Sequence, residues 1–323
     1  MPLFNNNKTN NNSIHKYLKQ NGYKETKHDI NEILIDSIIE NNLPKFKLIL
    51  EYASDNNIDL KFNEKDKDGD YPFLLSVIKN NVEIAILLIE YANKNNITLT
   101  INENNQEGWY PFIKSVYNDN IAMTELIIEY AINNKIILNI NDADNDGWYP
   151  LLWCIKNNNV DILKLLIDYA NQNNIVLKIN EQNKNGDYPL LFSVIHNNIE
   201  IFKMIIEYAN KNNIIFNINE QNKYGDYPLL GSINNNNIEM FNLIIDYANK
   251  NNTILTINEK NNKGKYPLLL SINKYNIKMI ISLIDYVKEK NIILNIYDQD
   301  IEEASTINLE IYDILKNYKN KNN

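Results

Sequence analysis

Gly186-Asp187-Tyr188-Pro189-Leu190-Leu191 is one of six close copies that recur every 39 residues along most of the 323-residue chain. Each copy has a glycine, a tyrosine two residues later and then a proline; the glycines are Gly69, Gly108, Gly147, Gly186, Gly225 and Gly264. A fixed period of this length is typical of a solenoid, in which each unit buries its apolar face only against its neighbours. The sequence therefore predicts one extended array of stacked units.

The unit from Gly69 to Glu107 illustrates what each copy is predicted to form. A proline suits the first turn of a helix, so a short helix is expected from about Pro72 to Lys79. Asn80 suits the left-handed conformation that ends a helix, and Asn81 can cap the next one with its side-chain oxygen. A second, longer helix is expected there, because four apolar residues follow the spacing of one buried helical face: Ile84, Leu87, Leu88 and Tyr91.

The segment after the second helix has a different pattern. Ile97, Leu99 and Ile101 alternate with threonines, and a period of two is typical of an extended, half-buried segment. The same is expected around Ile136, Ile175 and Ile214. The tyrosine that ends each long helix lies on the apolar stripe, so this tyrosine column is interpreted as core.

The two ends of the chain depart from the repeat. Residues 1–29 are polar and rich in asparagine, which predicts a disordered tail. Residues 30–68 follow the repeat without its Gly-x-Tyr-Pro turn and are interpreted as an N-terminal capping repeat. Six full repeats span residues 69–302. Residues 303–323 are interpreted as a C-terminal capping helix and tail, with Ile307 to Tyr318 as the amphipathic stretch.

The repeat resembles the ankyrin repeat over about residues 30–302. The family opens with D-x-x-G-x-T-P-L-H, and this chain has Asp or Asn three residues before each glycine: Asp66, Asn105, Asp144, Asn183, Asn222 and Asn261. The proline and the apolar residue after it also match. The resemblance implies an all-α, ankyrin-repeat-like solenoid of helix-turn-helix units with extended connecting loops.

Three departures from the family pattern are visible. Tyrosine replaces the threonine before the proline, which removes the short hydroxyl that would cap the first helix. An apolar residue such as Leu191 replaces the family histidine. The family repeat has about 33 residues whereas this one has 39, and the additional residues lie between the long helix and the next turn.

Composition argues against several classes of function. The chain has a net charge of -9 and lacks the clustered lysines and arginines that binding of a nucleic acid requires. The amino terminus lacks a signal-peptide pattern, and no apolar run approaches the roughly 18–20 residues that span a bilayer, so a cytoplasmic protein without a membrane partner is expected. One cysteine and three scattered histidines, His15, His28 and His196, offer no catalytic arrangement. We expect no enzyme and no cofactor.

One acidic segment resembles a metal-binding loop in its first half only. Asp142-Ala143-Asp144-Asn145-Asp146-Gly147 matches the first half of a calcium loop, but Trp153 stands where the bidentate glutamate would be needed. The acids also coincide with the turn of the repeat. No metal site is expected.

The three tryptophans all lie between residues 109 and 153. Trp109 and Trp148 directly follow a turn glycine, a position that the resemblance places in the concave groove where partners bind. Contact with a partner and a purely structural stack are weighed equally for these two, whereas Trp153 is predicted to be core. The residues predicted to bind a partner are Asp68, Asp70, Glu107, Trp109, Tyr117, Asp146, Trp148 and Asp187.

The function that follows is a non-catalytic scaffold or adaptor that binds another protein through its concave face. The residues beside the turn glycines change from acidic at Asp68 and Asp70 to basic at Lys263 and Lys265. A basic segment with an apolar anchor is therefore the expected ligand of the acidic, tryptophan-bearing half. The alternative is an architectural spacer or self-associating element without a specific ligand. The oligomeric state is left open.

Overall fold

The computed structural model describes residues 14–27 and 29–322, and its helices fall into two compact units. The first unit, Met1–Asn157 with Lys164–Ile175, contains the helical residues 14–20 (α1) and the helices α2 Ile30–Ile39, α3 Leu43–Asp55, α4 Pro72–Ile78, α5 Val82–Lys94, α6 Pro111–Tyr117, α7 Ile121–Asn133 and α8 Pro150–Lys156. Helix α9, Val160–Gln172, contributes residues to both units. The described residues contain no β-strand.

The second unit, Asn158–Leu163 with Val176–Asn323, repeats the same scheme. Its helices are α10 Pro189–Ile195, α11 Ile199–Lys211, α12 Pro228–Asn234, α13 Ile238–Lys250, α14 Pro267–Asn273, α15 Ile277–Lys290, α16 Asp298–Ile307 and α17 Leu309–Asn322. In both units a seven-residue helix packs against the longer helix that follows it, and successive short helices stack on one another. This is the predicted all-α, ankyrin-type helix-turn-helix solenoid.

The predicted signals begin and end the helices as expected. Pro72 is the first residue of α4, and the amide of Ile84 donates to the side chain of Asn81, which caps α5. Asn80 has a φ of 56°, the left-handed conformation that asparagine tolerates better than most residues. Tyr71 makes no capping bond with its side chain, so the loss of the family threonine removes the cap as predicted.

The acidic or amide residue before each glycine builds the turn. The Asp66 carboxylate accepts bonds from the amides of Asp68 and Asp70, both at 2.9 Å. The Asp66 amide donates to the Asp70 carbonyl at 2.8 Å. Gly69 lies inside this turn and has a φ of +82°. Asn105, Asp144, Asn183, Asn222 and Asn261 repeat the side-chain bonds.

The tyrosine that replaces the family threonine has a role of its own. Its ring is buried, and in four repeats its hydroxyl donates to a backbone carbonyl in the segment before the next turn, as from Tyr71 to Glu103 at 3.0 Å and from Tyr227 to Glu259 at 2.9 Å. Burial raises the pKa of the Tyr110 hydroxyl, so this group remains a donor. The longer side chain reaches a repeat boundary that threonine could not.

The additional residues of the long repeat form the predicted non-helical segments. Helix α5 ends at Lys94, and residues 97–100 are not helical; the segments around Ile136, Ile175 and Ile214 are not helical either. Leu99 and Ile101 are buried, which confirms the period of two. The amide of Leu99 donates to the hydroxyl of Tyr130 at 2.8 Å. The tyrosine column is therefore core, and its hydroxyls also hold the inserted segments in place.

Asparagine side chains join neighbouring inserted segments within each unit. The Asn63 amide donates to the Thr98 carbonyl, and the Asn63 side-chain oxygen accepts from the Thr100 amide, both at 2.8 Å. Asn102, Asn180, Asn219 and Asn258 make the same pair of bonds, always to residues 35 and 37 positions further along the chain. We call these five side chains the asparagine ladder.

The prediction that the N-terminal tail is disordered is wrong for the part of the tail that the structure describes. Residues 14–20 are helical, and Ile14 and Leu18, one turn apart, are buried. The Glu25 carboxylate lies 2.9 Å from the Lys45 ammonium, which is itself buried. One apolar pair was too weak a signal against the polar composition, but it suffices to cover the capping repeat. Residues 1–13 and residue 28 of the predicted tail lie outside the described residues.

The C-terminal boundary is also corrected. A pair of helices, α16 and α17, ends the described chain where a single capping helix was predicted, and the predicted boundary at 302 falls inside α16. The buried Asp300 carboxylate accepts from the Tyr266 hydroxyl and from the Tyr297 amide, and burial raises its pKa. Helix α16 has little apolar surface, so its sequence offered few apolar residues from which to predict it. Its buried Asp300 instead bonds to Tyr266, the tyrosine of the last turn.

One left-handed position offers a test of the repeat. Tyr275 has a φ of 56° and is 61% exposed, at a place where Asn80, Asn197 and Asn236 stand in other repeats. Tyr275→Asn is expected to raise the free energy of unfolding by about 0.5–1 kcal/mol, because asparagine tolerates this conformation better. Chemical denaturation measures the change. The reverse change, Asn236→Tyr, is the matched control and should lower stability; equal effects of both changes would contradict the argument.

Candidate partner-binding site

Four aromatic side chains of the first unit form one cluster, which we call the aromatic surface: Trp109, Tyr117, Trp148 and Trp153. The rings of Trp148 and Trp153 are stacked with centroids 4.4 Å apart. Tyr117 meets Trp153 edge-on at 4.7 Å, and Trp109 lies 4.9 Å from Tyr117 and 6.1 Å from Trp153. Trp153 therefore contacts all three other rings and is the centre of the cluster.

The repeat turns place these rings. The amide of Trp109 donates to Asn105 and that of Trp148 to Asp144, both at 2.9 Å, so each indole leaves the chain at the same point of its turn. The Trp109 indole N–H donates to the Glu107 carboxylate at 3.0 Å, and the Trp153 indole N–H to Asp144 at 3.4 Å. Since these N–H groups are bonded within the unit, a ligand that binds here contacts the rings rather than their N–H groups.

Two lysines lie over the rings. The Lys114 ammonium is 4.2 Å from the centroid of Trp109 and 4.0 Å from that of Tyr117. The Lys156 ammonium is 4.4 Å from Trp148 and 4.3 Å from Trp153. These distances are within the range of cation–π attraction. Partial burial lowers the pKa of Lys114, and the nearby carboxylates of Glu107, Asp70 and Asp144 oppose that shift.

The predicted site residues divide by exposure. Tyr117 is 41% exposed, and Trp109 and Trp148 are half-buried. Trp153 is 7% exposed, which confirms it as core, although its ring also completes the surface. Three predicted acids are exposed: Asp68, Glu107 and Asp146.

Two predicted acids have partners of their own. Asp70 is half-buried and accepts from the Asn105 side chain at 2.8 Å, and burial raises its pKa. Asp187, in the second unit, is 6% exposed and accepts from Asn222 at 2.8 Å. Because that carboxylate is buried within its own unit, we leave Asp187 out of the site.

Sequence reasoning missed the two lysines and the central role of Trp153. The signal was present in the spacing. Lys114 and Tyr117, like Trp153 and Lys156, are three residues apart on a short helix, and side chains with this spacing share one face. Lys114 occupies in one repeat the position of Trp153 in the next, and Tyr117 occupies that of Lys156. In these two repeats a lysine therefore stands where the other repeat has an aromatic ring.

The half-matching calcium loop is part of the turn. One Asp144 oxygen accepts from the amides of Asp146 and Trp148, and the other accepts from Trp153. No three histidine, cysteine or acidic side chains gather as metal ligands within residues 14–27 and 29–322. Over the same residues, no helix combines the length and the apolar character needed to cross a membrane.

Comparison with known proteins agrees with the repeat geometry. Residues 97–176, which include the whole aromatic surface, match a family model described as ankyrin repeats in three copies. The repeats within residues 97–176 are ankyrin repeats. Ankyrin repeats generally mediate protein–protein interaction and typically form non-catalytic modules.

A solved ankyrin repeat domain shares the fold. The ankyrin repeat domain of Bcl-3, a unique member of the IkappaB protein family, aligns with a TM-score of 0.53 and 14% sequence identity, over 78% of this chain and 97% of that chain. At this identity the likeness is one of fold alone. Among curated protein sequences, none matches this chain.

Proposed function

We propose that this chain is a non-catalytic protein-binding module that captures a basic segment of another protein on the aromatic surface of its first unit. The observation that carries the proposal is the set of four touching rings with two ammonium groups 4.0–4.4 Å from their centroids. Aromatic side chains are enriched among residues that dominate binding energy. The rings already attract ammonium groups from within the chain, so an incoming lysine or arginine that displaces Lys114 or Lys156 meets the same chemistry.

The charges around the rings support a basic ligand. Glu107 and Asp146 are exposed beside Trp109 and Trp148. The carboxylates of Glu107, Asp70 and Asp144 are all near enough to Lys114 to oppose the lowering of its pKa by burial. Acidic groups at the edge of a binding surface mainly speed and orient the encounter with a basic partner. Affinity would come from an apolar anchor that covers Tyr117 and the two half-buried indoles.

Paired replacement of the two indoles tests this role. In Trp109→Ala/Trp148→Ala, binding of a basic ligand should weaken by about 2 kcal/mol or more, a roughly 30-fold rise in Kd. The probes are dodecamer peptides displayed on phage and selected on the immobilised wild-type chain; those enriched should combine Lys or Arg with a large apolar residue. Fluorescence anisotropy of one such peptide then gives both Kd values.

The control is Asp226→Ala/Lys265→Ala, which changes the same repeat position in the second unit and should leave this affinity unchanged. Thermal unfolding of all three proteins is measured in parallel. If the tryptophan pair loses stability in proportion to its binding, the indoles are a structural stack and the proposal fails. It also fails if selection enriches peptides without basic residues.

A further inference from the structure

One short helix lacks the large side chain that the other short helices carry at their fourth residue. The fourth residue of these helices is Leu75, Lys114, Trp153, Phe192, Gly231 and Leu270 in chain order. Glycine inside a helix costs about 1 kcal/mol relative to alanine. A Cβ atom on Gly231 would lie 3.1 Å from a methyl group of Val194 and would meet no backbone atom within 4 Å. No close approach of the backbone therefore requires this glycine.

An open cavity takes the place of the missing side chain. It has a volume of about 280 Å³, and its apolar wall consists of Ile195, Leu230 and Leu270 around Gly231. We call it the Gly231 pocket. An apolar cavity of about 150 Å³ is large enough to hold benzene, so the Gly231 pocket has room for a phenylalanine or leucine side chain.

The edge of the pocket is basic. Lys263 and Lys265 line it, and within the described part of the chain neither ammonium forms an ion pair. The one carboxylate in the lining, Asp226, accepts a bond from the Asn261 side chain at 2.8 Å. In a chain of net charge -9, two lysines without an ion pair at the edge of a cavity with one apolar wall favour an acidic ligand.

We propose that the Gly231 pocket is a second binding site, which takes one large apolar side chain from an acidic segment of another protein. The side chain fills the space beside Gly231, and flanking carboxylates of the segment pair with Lys263 and Lys265. The ligand chemistry is opposite in charge to that proposed for the aromatic surface. The two sites therefore bind different segments, and each can be tested without the other.

Synthetic peptides test the pocket on the full chain. The probes are acetyl-Asp-Glu-Phe-Glu-Asp-amide and the same peptide with alanine in place of phenylalanine, titrated while NMR signals of the protein are followed. The phenylalanine peptide should bind at least about tenfold more tightly, since burial of such a side chain contributes about 1.5–3 kcal/mol. A lysine-flanked phenylalanine peptide should bind more weakly than the acidic one.

Gly231→Leu is the decisive variant, because leucine already occupies this position in two other repeats. It should fold with an unchanged or higher melting temperature and lose the preference for phenylalanine. Lys263→Gln/Lys265→Gln should retain that preference and lose the preference for acidic flanks. The proposal is overturned if wild-type protein binds both acidic peptides alike, if Gly231→Leu keeps the preference, or if the basic peptide binds best.

Discussion

Gly108→Ala should lower the free energy of unfolding by about 2–5 kcal/mol. The φ of Gly108 is +86°, which costs a residue with a Cβ atom about 1–2 kcal/mol. The new Cβ would also lie 2.7 Å from the backbone nitrogen of Asn145 and 2.9 Å from the Cα of Asp144. Backbone atoms cannot rotate away as a side chain can, so the two turns must separate, at a further cost of about 1–3 kcal/mol.

Gly264→Ala is the matched control. Gly264 has a similar φ of +71°, but a Cβ there meets nothing within 4 Å. Gly264→Ala should lower the free energy of unfolding by only about 1–2 kcal/mol, the cost of the conformation alone. Urea unfolding followed by circular dichroism measures both variants, and tryptophan fluorescence reports on the region of Gly108. Equal losses would show that the close approach of successive turns contributes nothing.

Trp153→Ala should lower stability by about 3–5 kcal/mol, the range for removal of a buried large aromatic side chain. The ring is 7% exposed and contacts three other aromatic rings, so its loss leaves a cavity beneath Trp109, Tyr117 and Trp148. Binding of a basic peptide should fall as well, because the remaining rings lose their common support. Urea unfolding and anisotropy measure the two effects.

The comparison for this variant is Trp148→Ala. Trp148 stacks on Trp153 from a half-buried position, so its removal should lower stability far less than removal of Trp153 and should weaken binding by more than it lowers stability. If Trp148→Ala destabilises the chain as much as Trp153→Ala does, the assignment of a core ring and a surface ring is wrong.

Much of the fold could be predicted because local residues determine it. Pro72, Asn80 and Asn81 each act on the backbone within a few residues, so the bounds of α4 and the start of α5 followed from the sequence. The inserted segment was equally predictable from the alternation at Leu99 and Ile101. The fixed period of 39 residues then extended these local arguments to five further, closely similar copies.

The parts that were missed depend on distant partners. The Tyr71 hydroxyl bonds 32 residues away, and Asn63 bonds 35 and 37 residues away. Neither pairing leaves a local pattern. Helix α1 depends on one apolar pair, and α16 on a buried aspartate. At the site, the repeat positions of the tryptophans could be read from the sequence. The contacts of the two lysines could not, because the rings that each lysine covers come partly from a neighbouring segment of the fold.

The asparagine ladder has a consequence for how such a chain can grow. Each asparagine side chain bonds to a main-chain carbonyl and a main-chain amide of the following repeat, groups that every residue except proline supplies. At Asn219 the Thr256 hydroxyl adds one side-chain bond. The identity of the side chains it faces is therefore free to drift. A duplication of 39 codons copies the asparagine together with the backbone that the preceding asparagine binds. The array can thus lengthen or shorten by whole repeats while every asparagine of the ladder keeps its hydrogen-bond partners.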